Sequence, residues 1–164
     1  MSDVASPAGG EWPAVLAALL DDAGMAGRAV AEVAPMTGGV SSDIVRIRLD
    51  DGREFCAKRA LARLRVAADW RVPVERNRYE IAWLRLAGRI VPGAVPEVFA
   101  ESRAAGAVLL SYLPPSEHTL WKSDLLAGTC DPEVARALGD VIGRIHRATL
   151  ADVAVAQAFA TDAL

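Results

Sequence analysis

The spacing of apolar residues changes twice along the chain, and each change marks a different kind of element. From Glu11 to Met25, Trp12, Val15, Leu16, Leu19 and Leu20 recur at helical intervals. Pro13 fits a first turn and Gly24 an end, so the pattern predicts a helix there. Between Val30 and Lys58 the period falls to two. Val30 to Pro35 reads as a short strand, broken by Gly38 and Gly39. Asp43-Ile-Val-Arg-Ile-Arg-Leu49 alternates apolar with charged positions, as a half-buried strand does. Asp50-Asp51-Gly52 is a hairpin turn, and Arg53 to Lys58 resumes as a strand with Phe55 and Ala57 on one face. Two strands joined in this way run antiparallel, and the strand before the glycines is expected to join them. Ala60 to Trp70 reads as loop or short helix. At Pro73 the helical period returns, with Tyr79, Ile81, Leu84 and Leu86 inward and Gly88 as the expected stop. Glu97 to Glu101 and Ala107 to Tyr112 read as two more strands around a turn at Ser102 to Gly106, and Pro114-Pro115 ends the sheet. Leu120 to Ala127 is helical in pattern. Asp131-Pro132 caps a helix that reaches Ala148, and Ala151 to Leu164 is helix-prone.

The order is helix, three strands, helix, two strands, helices. That predicts an α+β domain: an antiparallel sheet of about five strands with one long helix, followed by C-terminal helices. Composition narrows the class. The chain has 164 residues, 52% of them hydrophobic, which suits one packed domain and excludes a disordered chain. Residues 1–10 read as a loose tail. With 18 Lys and Arg against 21 Asp and Glu, the net charge is −3, which argues against a nucleic-acid partner. Apolar runs such as Ala14 to Leu20 fall well short of the roughly 20 residues that span a bilayer, and no signal-peptide pattern opens the chain. Cys56 and Cys130 form no CxxC and no histidines are paired, which argues against a zinc site or a disulfide scaffold. The expectation is a cytoplasmic protein without a membrane partner.

Candidate chemistry is concentrated in residues 36–113. Thr37-Gly-Gly-Val-Ser-Ser42 sits in a turn between two strands, where glycines let backbone N–H groups approach phosphate oxygens and Ser41 and Ser42 can add hydroxyl donors. A Gly-Gly turn is also an ordinary hairpin. Lys58, on an apolar strand beside that turn, can reach a phosphate or simply end the strand in solvent. Glu80 flanks the apolar stripe of the next helix and can pair with Lys58; Glu75, nearer the helix start, is the rival partner. Arg63, Arg65 and Arg71 read as a solvated basic face, His118 as exposed and His146 as helix packing. A dinucleotide-binding reading is excluded, since no G-x-G-x-x-G follows a strand.

Glycine turn, strand Lys, helix Glu and then Leu109-Leu-Ser-Tyr-Leu-Pro-Pro115, in that order, resemble the small lobe of the aminoglycoside phosphotransferase family, which includes methylthioribose- and choline-kinase-like enzymes. The resemblance covers residues 30 to 150. It rests on Gly38-Gly-Val-Ser-Ser-Asp-Ile-Val45, Ala57-Lys58, Glu80 with Ala82 and Leu84, Ser111-Tyr-Leu113, and Leu138-Gly-Asp-Val-Ile-Gly-Arg-Ile-His146. It implies a protein-kinase-like small lobe over residues 11–113, with residues 114–164 as the start of a large lobe. It further implies a sugar- or alcohol-directed kinase that uses ATP or GTP with Mg²⁺. Gly38, Gly39, Ser41, Ser42 and Lys58 would then face the phosphates, Glu80 would position Lys58, and backbone groups of Ser111, Tyr112 and Leu113 would hold the base. The family's His-Gly-Asp…Asn loop and later metal-binding Asp supply the base and Mg²⁺ ligands, and no His-Gly-Asp occurs in this sequence. The chain is therefore expected to be a truncated, inactive nucleotide-binding part. The alternative is a non-catalytic, pseudokinase-like interaction module. Val134, Leu138, Val141, Ile142 and Ile145, with Val153, Val155 and Phe159, exceed what one small sheet covers, so a homo-oligomer is expected unless these helices fold back onto the chain's own sheet.

Overall fold

A computed structural model describes residues 12–160 apart from Gly38; the expected tail at residues 1–10 and the last four residues lie outside the described residues. The elements are α1 (Trp12–Asp22), β1 (Val30–Pro35), β2 (Ser42–Leu49), β3 (Glu54–Ala60), a 3₁₀ turn (Val74–Arg76), α2 (Asn77–Ile90), β4 (Val98–Ser102), β5 (Ala107–Ser111), α3 (Trp121–Leu126), α4 (Pro132–Thr149) and α5 (Val153–Ala158). The strands form one five-stranded sheet in the order β1-β2-β3-β5-β4, every neighbour antiparallel. The α+β architecture expected from the pattern is the one observed.

Contacts divide the chain into two units, Met1–Ile81 with Val98–Tyr112, and Ala82–Glu97 with Leu113–Leu164. The first unit holds the sheet and α1. Strand alternation sends Val45, Ile47 and Leu49 of β2, Phe55 and Ala57 of β3, and Ala107 and Leu109 of β5 to one face, where they pack with Trp12, Leu16, Leu19 and Leu20 of α1. Leu19, Ile47, Leu49 and Leu109 are fully buried. Phe55 and Phe99 meet edge to face, with centroids 5.1 Å apart. The Asp50-Asp51-Gly52 hairpin forms as expected. Gly52 takes φ +85°, which favours glycine, and Leu49 N–H donates to the Arg53 carbonyl at 2.9 Å.

In the second unit, Ala87 and Val91 pack with Ile145 of α4. Asp131 caps α4, accepting from Glu133 N–H at 2.9 Å, and Pro132 takes the first position, as expected. Gly88 is not the stop. It lies inside α2, and the left-handed turn comes at Gly93, φ +80°. His146 is exposed rather than packed; Ile145, one residue and about 100° away on the helix, takes the buried position.

Candidate functional site

The face of β3 opposite the α1 core carries Lys58 and Cys56. Lys58 stands between Ile44 of β2 and Val108 of β5, in the middle of the sheet. Its ammonium lies 2.5 Å from Glu80 Oε1. The Lys58 side chain is 18% exposed and that of Glu80 45%, so the pair sits at the rim of an open face. An ion pair this wet contributes at most about 1 kcal/mol to stability. Its consequence is geometric: one carboxylate holds the ammonium in place and leaves two of its three N–H donors for another acceptor.

Glu80 lies in the first turn of α2, because the segment after Pro73 is wound as a 3₁₀ turn through Arg76 and the α-helix starts at Asn77. Glu75 falls in that 3₁₀ turn, along a separate small cavity with Arg78 and Arg103, and Glu80 is the residue paired with Lys58. Two residues beside it, which the sequence reading passed over, set this placement. Asn77 is buried and donates through Nδ2 to the Gly106 carbonyl at 3.1 Å. Arg76 donates to the carbonyls of Ser41 (2.9 Å), Leu61 (3.2 Å) and Pro73 (3.1 Å), stapling the glycine turn, the exit of β3 and the helix start together. A polar Asn where the apolar stripe begins was the available signal.

The glycine turn is tethered from the same side. A β-carbon on Gly39 would lie 2.5 Å from the Ser42 carbonyl oxygen and 3.3 Å from Ile44 Cδ1, so only glycine fits without displacing backbone. Val40 accepts from Arg65 N–H at 2.8 Å, and Ser41 from Leu61 N–H at 3.0 Å. Asp43 sits between Arg59, at 3.2 Å, and Arg65. Arg65 is solvated as expected, with its side chain 50% exposed, and it also forms part of the turn's scaffold; Arg63 and Arg71 are exposed too and pair with Asp69. Ser41 is half-buried, whereas Ser42 is 4% exposed and opens β2 opposite Ala60. Gly38 lies outside the described residues.

Register sets the other expected residues. Ser42 pairs with Ala60, two positions beyond Lys58, and Ser111 pairs with Phe55, three positions before it. The glycine turn and the β5 exit therefore lie on opposite sides of the ammonium along β3. Ser111 and Tyr112 are half-buried at the end of the first unit, and Leu113, exposed, opens the second segment of the other unit. The Arg46 guanidinium stands 6.0 Å over the Tyr112 ring and pairs with Glu32 (2.5 Å) and Glu54 (3.0 Å), while Arg48 also pairs with Glu32 (3.0 Å). Hydrogen bonding from Arg48, then the charge of Arg46, holds the Glu32 carboxyl below the ordinary carboxylate range. Burial pushes the Cys56 thiol up, against the opposing charge of Lys58, so at neutral pH it is a neutral thiol and a poor nucleophile. Both cysteines are free. Among the described residues no group of three or more His, Cys, Asp or Glu is gathered to hold a metal.

The chain is 28% identical over 121 residues to methylthioribose kinase 2 of Oryza sativa subsp. japonica and 29% identical over 108 residues to methylthioribose kinase 1 of the same plant. The chain is distantly similar to methylthioribose kinases. The matches cover 73% and 65% of this chain but 28% and 25% of the relatives, so the chain spans about a quarter of the length of the curated relatives it matches. A Thermobifida fusca YX-ER1 crystal structure provisionally named fructosamine-3-kinase aligns at 23% identity with a TM-score of 0.42, covering 62% of this chain and 30% of that one. No protein-family model matches the chain. No helix among the described residues is long and apolar enough to cross a membrane.

Proposed function

We propose that the first unit binds the phosphates of a nucleoside triphosphate, ATP or GTP accompanied by Mg²⁺, as the nucleotide-binding part of a cytoplasmic phosphotransferase acting on a small sugar- or alcohol-like acceptor. One observation carries the reading: an ammonium held at 2.5 Å by Glu80, at the centre of an antiparallel sheet, beside a turn in which only glycine fits at position 39. Lys58 would donate its two remaining N–H groups to phosphate oxygens. Gly38, Gly39 and Ser41 would add donors from the turn, with Ser42 anchoring the turn's return into β2. Backbone groups of Ser111, Tyr112 and Leu113 would hold the base. Bound Mg²⁺ would neutralise phosphate charge, and its protein ligands are not assigned to the described residues. Phosphoryl transfer depends on positioning and charge neutralisation, and residues of this chain supply the first of these. The similarity to methylthioribose kinases supports a sugar-type acceptor.

Calorimetric titration of the chain with Mg-ATP and Mg-GTP tests this. Saturable binding is expected, weakened by a factor of about ten or more in Lys58→Met, the loss of one charge-assisted contact, about 1.4 kcal/mol. Absence of saturable binding to the unaltered chain refutes the reading. A second reading, an interaction module, is favoured by the exposure of Val134 (39%), Leu138 (43%) and Ile142 (42%) along α4. It predicts self-association through that face. Light scattering that finds a mass above 17.3 kDa, in a chain that binds no nucleotide, would select it.

A further inference from the structure

α1 packs chiefly over β4 and β5, and among the described residues nothing covers the β1 edge of the same sheet face, beyond the buried side chains of β2. The result is a groove of about 550 Å³, walled by Trp12, Leu16 and Leu20 of α1, by Val33 of β1 and by Val45 of β2. Val33 sits opposite the fully buried Ile47, on the face that is core elsewhere, yet it is 43% exposed. The volume lies within the ~300–1,000 Å³ typical of small-molecule sites, and the lining is apolar as such sites are. Among its described lining residues, Arg28 is the one charged side chain.

Arg28 is only loosely held. Its contact with Asp51 is long, 3.7 Å, and its side chain is 50% exposed. Asp51 is already engaged by Arg53, through Nε at 2.9 Å, Nη2 at 2.8 Å and the backbone N–H at 3.1 Å. An apolar trough with one guanidinium, half exposed and held by a single long contact to Asp51, is complementary to an amphiphile with one negative head, and a guanidinium binds a carboxylate through two parallel hydrogen bonds. We propose that this groove binds a medium-chain carboxylate, its alkyl body between α1 and β1 and its head at Arg28. The groove is on the face of the sheet opposite Lys58, so the proposal does not depend on the nucleotide reading.

Calorimetric titration of the full chain with decanoate below its micellar range tests it, with decanol and decyltrimethylammonium as companion ligands. Decanoate is expected to bind saturably at one site with a Kd of ~10–100 μM, decanol at least about ten-fold more weakly, and the cation not at all. Arg28→Gln should weaken decanoate about ten-fold or more. Ala17→Trp fills the groove from an exposed position on α1, and Val33→Asp places a carboxylate in its wall. Each should abolish binding with the thermal midpoint of the unliganded chain little changed, and Ala17→Trp alone suffices if Val33→Asp fails to fold. The proposal is overturned by no saturable binding, by equal affinity for the three ligands, or by binding that survives Ala17→Trp. A dimer that Ala17→Trp converts to a 17.3 kDa monomer would also overturn it, because a second copy would then be the occupant.

Discussion

The Lys58–Glu80 pair should be nearly neutral for stability, and a double-mutant cycle measures this. At 2.5 Å, two unit charges in a water-like dielectric attract by about 1.7 kcal/mol. Fixing Lys and Glu side chains costs up to about 1.5–2 kcal/mol each in rotamer freedom. Lys58, 18% exposed, is already restrained by its strand neighbours, while Glu80, 45% exposed, is not, so much of the attraction is offset. The expected coupling is therefore between zero and about 1 kcal/mol. Lys58→Met, Glu80→Gln and the double variant would be unfolded in urea and the coupling taken from the four free energies. If solvent screening governs the pair, Glu80→Gln leaves the midpoint almost unchanged yet weakens triphosphate binding, because the ammonium is no longer held in position. A coupling above about 2 kcal/mol would refute the screening argument and make the pair a structural brace.

Gly39→Ala should cost about 1–3 kcal/mol, read from the urea midpoint, because the new β-carbon meets a backbone carbonyl oxygen at 2.5 Å and the turn must move. Leu109→Ala, in the fully buried centre of β5, should cost about 2–5 kcal/mol by the same assay. Asn77→Ala should cost about 1 kcal/mol and no more, since the Gly106 carbonyl keeps its bond from Ala60 N–H at 3.0 Å. Both Glu32 and Asp51 titrate below their ordinary values, Glu32 through Arg48 and Arg46, Asp51 chiefly through its hydrogen bonds from Arg53. Their folded forms bind protons less readily than the unfolded chain. The stability they add is complete above about pH 4.5 and is lost as the pH falls through their lowered values. The urea midpoint should accordingly drop between pH 5 and pH 3, and by less in Arg48→Gln.

The elements, their order and the antiparallel pairing were legible in the sequence because they arise from local facts: the period of apolar residues, a hairpin glycine at 52, an Asp-Pro cap at 131. The face that Lys58 takes was legible for the same reason, since strand alternation alone sends it away from Phe55 and Ala57. The choice between Glu75 and Glu80 was not. It depends on the phase at which α2 begins, and tertiary bonds from Asn77 to Gly106 and from Arg76 to Ser41 set that phase. Nor was the end of α2 legible. Gly88 is a good stop by composition, but the chain first needs a left-handed residue at Gly93, five residues on. Arg65 reads as solvated in a row of arginines, and it became the tether of the glycine turn because residues 61–73 fold back and bring it to Asp43 and Val40. The groove at Arg28 is the furthest from sequence. Nothing in the amphipathic pattern of α1 says where along the sheet that helix will lie. Only its seating over β4 and β5, an outcome of packing among side chains far apart in the chain, leaves Val33 half-covered and Arg28 beside an open apolar wall.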